Sequence, residues 1–511
     1  MNTINIITRG GGGGSPGGAV GPASSAPGAG GRVLSALLAL MASAALTAPA
    51  AVAAPGTGDG RKAVPTVGAA PTAIRWGPCP PNDPMPEPGP RVRCGTIDVP
   101  VDWSRPRGPR TSVFVAHHRA ADPAQRIGVL MTNPGGPGNP GADSAMYADR
   151  EFSPELLNRF DVVSFDPRGI GRSEGVRCDE SIAAKIPYRP DDAAEFERLR
   201  TLNGELAQSC LRRSGPLAAH MDTESVARDM DAIRSSLGER KVSFLGTSYG
   251  TSIGERYARL FPERLRALAL DSAVAPGALS AERFLTDGGV AVDGIFERLV
   301  ADCEKDTSCV LKGRKLVSVT RELFARADAG TLREPGPGGP TQRTIDTDQL
   351  VGVLYFALRQ YMPGSATEWL AALHSGTGEV PRYDAGPERA WQLVLCRDND
   401  LRIRDFAEYR QIRERVAKAA PNVRYSSQAL DMVLGCQGWP PPKPRSEPAR
   451  GALPPVLVVN ATHDAATPLA GARRMAAAFP QASLFTVDMV GHGLYGVESA
   501  RRAIDRYLTS G

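Results

Sequence analysis

Strand-like and helix-like segments alternate along most of this chain, and that alternation constrains its fold more than any other feature. GVLMTN (Gly128–Asn133) and DVVSFD (Asp161–Asp166) are nearly continuous apolar runs, the pattern of strands buried on both faces of a parallel sheet. VSFLG (Val242–Gly246), ALALD (Ala267–Asp271), VLVVN (Val456–Asn460) and SLFTVD (Ser483–Asp488) continue the series. Between them Val226, Met230, Ile233 and Leu237 recur at helical spacing, with Gly238 as a C-terminal stop. Upstream, TIDVPVDW (Thr96–Trp103) and SVFVAHH (Ser112–His118) alternate as half-exposed strands do. Strands alternating with helices predict an α/β domain with a mostly parallel central sheet.

From Asp271 to Val456 the strand signal vanishes. Helical apolar stripes replace it at Ile295/Phe296/Leu299/Val300, Leu316/Val319/Leu323 and Leu350/Val353/Leu354/Leu358, interrupted by a Gly/Pro loop at Glu334–Pro340. An insertion of this size between strands of one sheet predicts a large, mainly helical lid before the strand that ends near Asp464.

The first 54 residues hold two basic residues, Arg9 and Arg32, and no acid. Val33–Leu46 is an apolar run, followed by Pro49 and the small-residue site Ala51-Val52-Ala53. That order predicts a signal peptide for export, and the run is shorter than the ~20 residues that span a bilayer. Arg9 and Arg32 are not adjacent, so the signal is of the general secretory rather than the twin-arginine type. The expected organisation is a signal peptide with a Gly-rich extension over 1–53, a linker or short propeptide over 54–75, the first part of the core over 76–276, the lid over 277–450, and the C-terminal part of the core over 451–511. The formal net charge of +5 shrinks further once the signal is removed. No nucleic-acid partner is expected, since that would require a concentrated basic face, and no stable membrane association.

Export makes the eight cysteines informative, because outside the cytosol an even set is expected to be bonded. No C-x-x-C occurs, which removes the usual zinc knuckle and the thioredoxin motif. Nearest-neighbour pairing is expected: Cys79 with Cys94, Cys178 with Cys210, Cys303 with Cys309, and Cys396 with Cys436. On this reading the bridges staple excursions and leave the sheet to its own packing.

GTSYG (Gly246–Gly250) is a G-x-S-x-G sequence placed between the strand VSFLG and a helix bearing Ile253 and Tyr257. A serine at the tip of a sharp strand-to-helix turn stands exposed above the sheet, and the flanking glycines avoid Cβ collisions. Ser248 is therefore the candidate nucleophile. A serine hydroxyl needs a base oriented by a carboxylate, and in this fold the order is Ser, Asp or Glu, then His. His492, in the loop after SLFTVD, and Asp464, just past VLVVN, are the expected partners. His463 and Asp488 are the rivals, and His117 and His118 read as core or surface histidines on an early strand.

The tetrahedral intermediate needs donors, expected from the N–H of Tyr249 and from the Gly-rich loop Asn133–Gly138 (NPGGPG). DPRGIGRSEG (Asp166–Gly175) carries neither G-x-G-x-x-G nor a Walker lysine and reads as a loop supporting NPGGPG. Asn460-Ala461-Thr462 matches a glycosylation sequon but falls on a buried strand end. No metal or cofactor is called for.

NPGGPG, FDPRGIGRS (Phe165–Ser173), GTSYG, Asp464 and GHG (Gly491–Gly493) together resemble the secreted tripeptidyl aminopeptidase family of actinobacteria, α/β-hydrolases related to proline iminopeptidase with a TAP-like C-terminal segment. The resemblance spans about residues 75–508. It implies release of short peptides from free N-termini, with Ser248, Asp464 and His492 as triad and the N–H groups of Gly136 and Tyr249 as oxyanion donors. Asn133 stands where the proline iminopeptidase branch has a histidine, which argues against strict removal of single prolines. Exopeptidases of this kind need a lid carboxylate for the substrate ammonium group, and Asp398 and Asp400 are the candidates. The substrate is then a peptide with a free N-terminus. Competing readings are an exported carboxylesterase or amidase on the same machinery, and a binding protein with a relict triad. Peptide length, the residue before the scissile bond and oligomeric state stay open.

Overall fold

The structure, a computed structural model, describes residues 73–510 apart from 82–84, 278, 382–389, 450 and 454. The expected signal peptide and nearly all of the linker lie outside the described residues.

Nine strands form one sheet: β1 (Arg75–Gly77), β2 (Val92–Pro100), β3 (Arg110–His118), β4 (Gly128–Asn133), β5 (Phe160–Phe165), β6 (Val242–Thr247), β7 (Leu265–Asp271), β8 (Val456–His463) and β9 (Ala482–Val490). Their order is β1-β2-β3-β5-β4-β6-β7-β8-β9. The first three strands pair antiparallel, as do β3 and β5, and every later pair is parallel. Asn133 pairs with Gly246, Thr247 with Asp271, and Asp271 with Val459. The carboxyl ends of β4, β6, β7 and β8 therefore share one rim. Strand order reverses around β4, and ligands of open α/β sheets bind at such a switch point.

Twelve helices of nine or more residues occur among the described residues. In the core these are α1 (Ala193–Ser214), α2 (Thr223–Ser236), α3 (Gly250–Leu260), α11 (Leu469–Ala477) and α12 (Glu498–Ser510). Over the rim lie α4 (Ala281–Lys305), α5 (Leu316–Asp328), α6 (Thr347–Gln360), α7 (Pro363–Ser375), α8 (Ala390–Asp398), α9 (Phe406–Ala419) and α10 (Ser427–Gly435). The three apolar stripes of the sequence become α4, α5 and α6. Helix α8 buries Gln392, Leu393 and Val394 on several sides and so shows no single stripe to read. Helix α7 buries Ala366, Leu370 and Leu373, a stripe at i, i+4 and i+7 that sequence reasoning passed over.

Alternate strand residues face opposite sides. Leu130, Val162, Leu245 and Val459 pack with Leu156, Ile504 and Leu508 on one face. Met131, Phe244, Leu268 and Leu270 pack with Val226 and Ile253 on the other, and that cluster continues without a break into Ile295, Leu354 and Leu430 of the lid. Each such fully buried side chain contributes roughly 1.5–3 kcal/mol, so lid and core share one source of cohesion.

All four expected disulfides are present, Cys79–Cys94, Cys178–Cys210, Cys303–Cys309 and Cys396–Cys436. One expectation needs correcting. Cys94 lies inside β2 rather than ahead of the sheet, so this bridge holds the antiparallel edge directly. Gly95 interrupts the apolar alternation there, and pairing with β3 extends the strand across it. The same strand stops at Pro100 instead of reaching Trp103, because the chain turns and the Val101 N–H bonds to Pro109 O. At the other boundary, β1 takes up Arg75, the last residue assigned to the linker.

Candidate active site

Strand β6 ends at Thr247 and α3 begins at Gly250, so Ser248 and Tyr249 alone make the turn. Ser248 has φ of 57°, a left-handed conformation that persists for a non-glycine residue only when the surroundings impose it. Its N–H donates to Asp271 O at 2.9 Å, and its carbonyl accepts from Thr251 N at 2.9 Å. A Cβ on Gly246 would stand 2.4 Å from Gly250 O, and one on Gly250 would stand 2.3 Å from Asn133 O. Both glycines of the motif are sterically required.

The loop Asn133–Gly138 packs on this turn at backbone distance. A Cβ on Gly135 would lie 2.6 Å from Thr247 O and 2.9 Å from Tyr249 N. Gly135 N–H is occupied by Asn133 Oδ1 at 3.0 Å. The N–H groups of Gly136 and Tyr249 donate to nothing among the described residues, and both residues line the cleft above Ser248. Behind the loop, Asp166 accepts the Ala142 N–H at 2.9 Å and the Arg172 N–H at 2.9 Å. Arg168 is wholly buried, forked onto Asp229 of α2 at 2.7 and 2.5 Å and bonded to the carbonyls of Pro100 and Val101. DPRGIGRSEG is thus a supporting loop bolted to the sheet and to α2.

His492 Nδ1 is 2.8 Å from Asp464 Oδ2. Asp464 is buried, and its oxygens also accept the N–H groups of Ala466 and Thr467 and the Thr467 hydroxyl, each at 2.8 Å. A Cβ on Gly493 would stand 3.6 Å from Thr247 Cγ2, which puts the histidine loop beside the serine turn. The rivals are elsewhere. His463 ends β8 and serves the loop only through its carbonyl, which accepts from Gly491 N. Asp488 lies within β9, exposed, bonded to Thr462 Oγ1. His117 and His118 sit on β3 against Asp161 and Asp149. Asn460 is fully buried, its amide bonded to Ala273, Ala461 and Thr467, so the sequon is inaccessible in the folded chain.

Lid and core form the walls of a cleft lined by Ser248, Tyr249 and Thr467 below and by Phe284, Met432 and Asp398 above. Among its acids Glu224 pairs with Arg256, Glu255 with Arg259, Asp287 with Arg283 and Arg474, and Asp222 with Lys443. Asp398 makes no salt bridge among the described residues, although Arg445 acts on it through space. Its carboxylate accepts Thr223 N at 3.0 Å and Thr223 Oγ1 at 2.5 Å. Burial pushes its pKa up to about 6, opposed by the Thr223 hydrogen bonds and Arg445 and assisted by Asp222. Asp400, the companion candidate, falls two residues beyond the end of α8, is exposed, lines no part of the cleft and is forked onto Arg402. It is removed from the site.

Sequence reasoning missed Thr467, which touches both Asp464 and His492, and Thr223, which carries Asp398. It also missed Asp271 and Ser272, which hold the histidine loop through Leu494, Tyr495 and Gly493. None sits in a recognisable motif. Only Asp271, an acid ending an apolar strand on the rim, left a signal that could have been used.

The alpha/beta hydrolase fold family matches residues 128–499, and with the serine turn, the late Asp–His pair and the parallel sheet in place, the chain belongs to that family. Serine protease Hip1 of Mycobacterium tuberculosis is 30% identical over 483 residues, covering 89% of this chain and 90% of that protein. Tripeptidyl aminopeptidase of Streptomyces coelicolor is 29% identical over 481 residues, covering 88% and 86%. Carboxylesterase B of Mycobacterium tuberculosis is 30% identical over 405 residues, covering 74% and 76%. Within the family the chain is a TAP-like, peptidase-type hydrolase.

Proposed function

We propose that the protein is an exported serine exopeptidase that releases short peptides, tripeptides first among them, from free N-termini. Ser248 Oγ attacks the scissile carbonyl carbon while His492 Nε2 takes its proton, and Asp464 stabilises the imidazolium. The N–H groups of Gly136 and Tyr249 receive the developing oxyanion. His492 returns the proton to the departing amine, and the shortened peptide leaves. Water then attacks the acyl ester, losing its proton to His492, and Ser248 is regenerated with release of the N-terminal fragment as its carboxylate.

The observation that carries the exopeptidase reading is Asp398, a carboxylate free of any salt bridge among the described residues on the wall of the cleft that holds Ser248. An ammonium group there would gain an ion pair and two or more charge-assisted hydrogen bonds. Asp398 connects to Tyr249 through two hydrogen bonds, 2.5 Å to Thr223 Oγ1 and 2.7 Å from there to Tyr249 OH. That path, plus one tyrosine side chain, caps the distance from amine anchor to oxyanion donor. That bound admits the roughly 10 Å spanned by three extended residues. The apolar run and A-x-A site of the N-terminal segment support export, as do four disulfides.

A carboxylesterase reading is favoured by the relative named for that activity. A fluorogenic panel separates the two, comparing free-amine mono-, di- and tripeptidyl amides, their N-blocked forms and simple esters. Cleavage of free-amine tripeptidyl amides in preference to blocked ones is expected. Turnover of esters with no free-amine peptide would overturn the peptidase reading.

A further inference from the structure

Asp398 and Tyr249 belong to opposite walls of the cleft, one ending lid helix α8 and the other following the nucleophile in the core. A single buried side chain joins them. Thr223 opens α2, so its N–H is among those a helix leaves without an intrahelical partner, and it donates to Asp398 Oδ1 at 3.0 Å. Its hydroxyl donates to Asp398 Oδ2 at 2.5 Å and lies 2.7 Å from the Tyr249 phenol, which donates to it in turn. One hydroxyl thus accepts a hydrogen bond from one side and donates its own to the other, with Thr223 and Tyr249 both largely buried in the cleft wall.

We propose that Thr223 is a positioning residue that couples recognition of the substrate N-terminus at Asp398 to the placement of Tyr249, whose backbone N–H faces the reacting carbonyl. The inference rests on Asp398 being the amine anchor and adds the element that makes binding of the amine felt at the oxyanion site. Hydrogen bonds to the charged carboxylate favour that form, so Thr223 keeps Asp398 ready to meet a cation inside a closed lid. The other charged groups facing Asp398 are Asp222 and Arg445, with Lys443 engaged by Asp222. Enclosure raises the pKa of the buried Tyr249 phenol, and with the Thr223 proton given to Asp398 it is the phenol that donates in the Thr223–Tyr249 bond.

The test uses the full-length mature enzyme and reads the ratio of kcat/KM for a free-amine tripeptidyl amide to that for its N-acetylated form. Thr223→Val keeps shape and backbone N–H and removes the hydroxyl, and it should lower that ratio at least tenfold, with both KM and kcat for the free-amine substrate affected. The acid limb of the ratio should move up by about one pH unit, since the ionised carboxylate has lost a donor. Thr223→Ser, which restores the hydroxyl, should restore ratio and limb together. Equal losses on both substrates with an unmoved limb would overturn the coupling and leave Thr223 a packing residue. Asp398→Asn separates this from failure of the underlying reading. If it abolishes the free-amine preference while Thr223→Val does not, the anchor stands and the coupling falls. If it leaves the preference intact, both fall.

Discussion

The carboxylate of Asp271, the last residue of β7, accepts the Leu494 N–H at 2.7 and 3.0 Å. Asp271 also accepts the Tyr495 N–H at 3.0 Å, and its own carbonyl receives the Ser248 N–H. One strand end therefore holds the serine turn with its backbone and the histidine loop with its side chain. Neither segment can move without disturbing the other.

Asp271→Asn leaves one acceptor for two or three donors and turns an amide N–H₂ against them. Displacing a catalytic group by about 1 Å costs on the order of 10²-fold, so kcat should fall by roughly that factor with KM little changed. Unsatisfied buried donors cost about 1–3 kcal/mol, measurable by urea unfolding. A full kcat in a destabilised variant would show that the loop is held by other contacts.

Ser248→Ala removes the proposed nucleophile, and kcat on tripeptidyl amides should fall by about 10⁴- to 10⁶-fold. Thr467→Val removes the hydroxyl bound to Asp464 Oδ2 and standing 3.2 Å from His492 Nδ1. A loss of roughly tenfold in kcat is expected there, with mass-spectrometric trapping by a fluorophosphonate slowed in proportion.

The free-amine preference should weaken as pH falls below about 6, where Asp398 takes up a proton and its charge is lost. The N-acetylated substrate does not share that limb. The sign for stability is opposite. A carboxyl that binds its proton more tightly when folded than when unfolded, near 3.9, burdens the fold above about pH 6 and is relieved on acidification towards pH 4. Asp398→Asn should therefore raise the melting temperature at pH 8 while removing the free-amine preference.

Cys396 precedes Asp398 by two residues on α8 and is bonded to Cys436 beyond α10. The double variant Cys396→Ser/Cys436→Ser should lose about 2–4 kcal/mol and raise KM for free-amine peptides more than for blocked ones. Equal KM changes would mean that packing of Leu393 and Val394 alone positions the anchor.

Much of this molecule is legible before folding is considered. The parallel strands announce themselves as apolar runs because burial on both faces leaves no room for polar side chains. The serine turn is legible because glycines are demanded at fixed offsets, and Asp464 and His492 follow from the order in which such strands end. The nearest-neighbour cysteine pairing is legible too, although Cys94 proves to lie in β2 rather than in an excursion. Contacts between segments far apart in sequence are different in kind. Asp398 and Asp400 are indistinguishable as letters, and only the end of α8 turns one into the cleft and leaves the other to Arg402 in solvent. Thr223, Asp271 and Thr467 are ordinary polar residues until the sheet brings 223 beside 398, 271 beside 494 and 467 between 464 and 492. Chemistry carried by local geometry is written in the sequence, whereas chemistry carried by a hydrogen bond across hundreds of residues exists only once the chain has closed on itself.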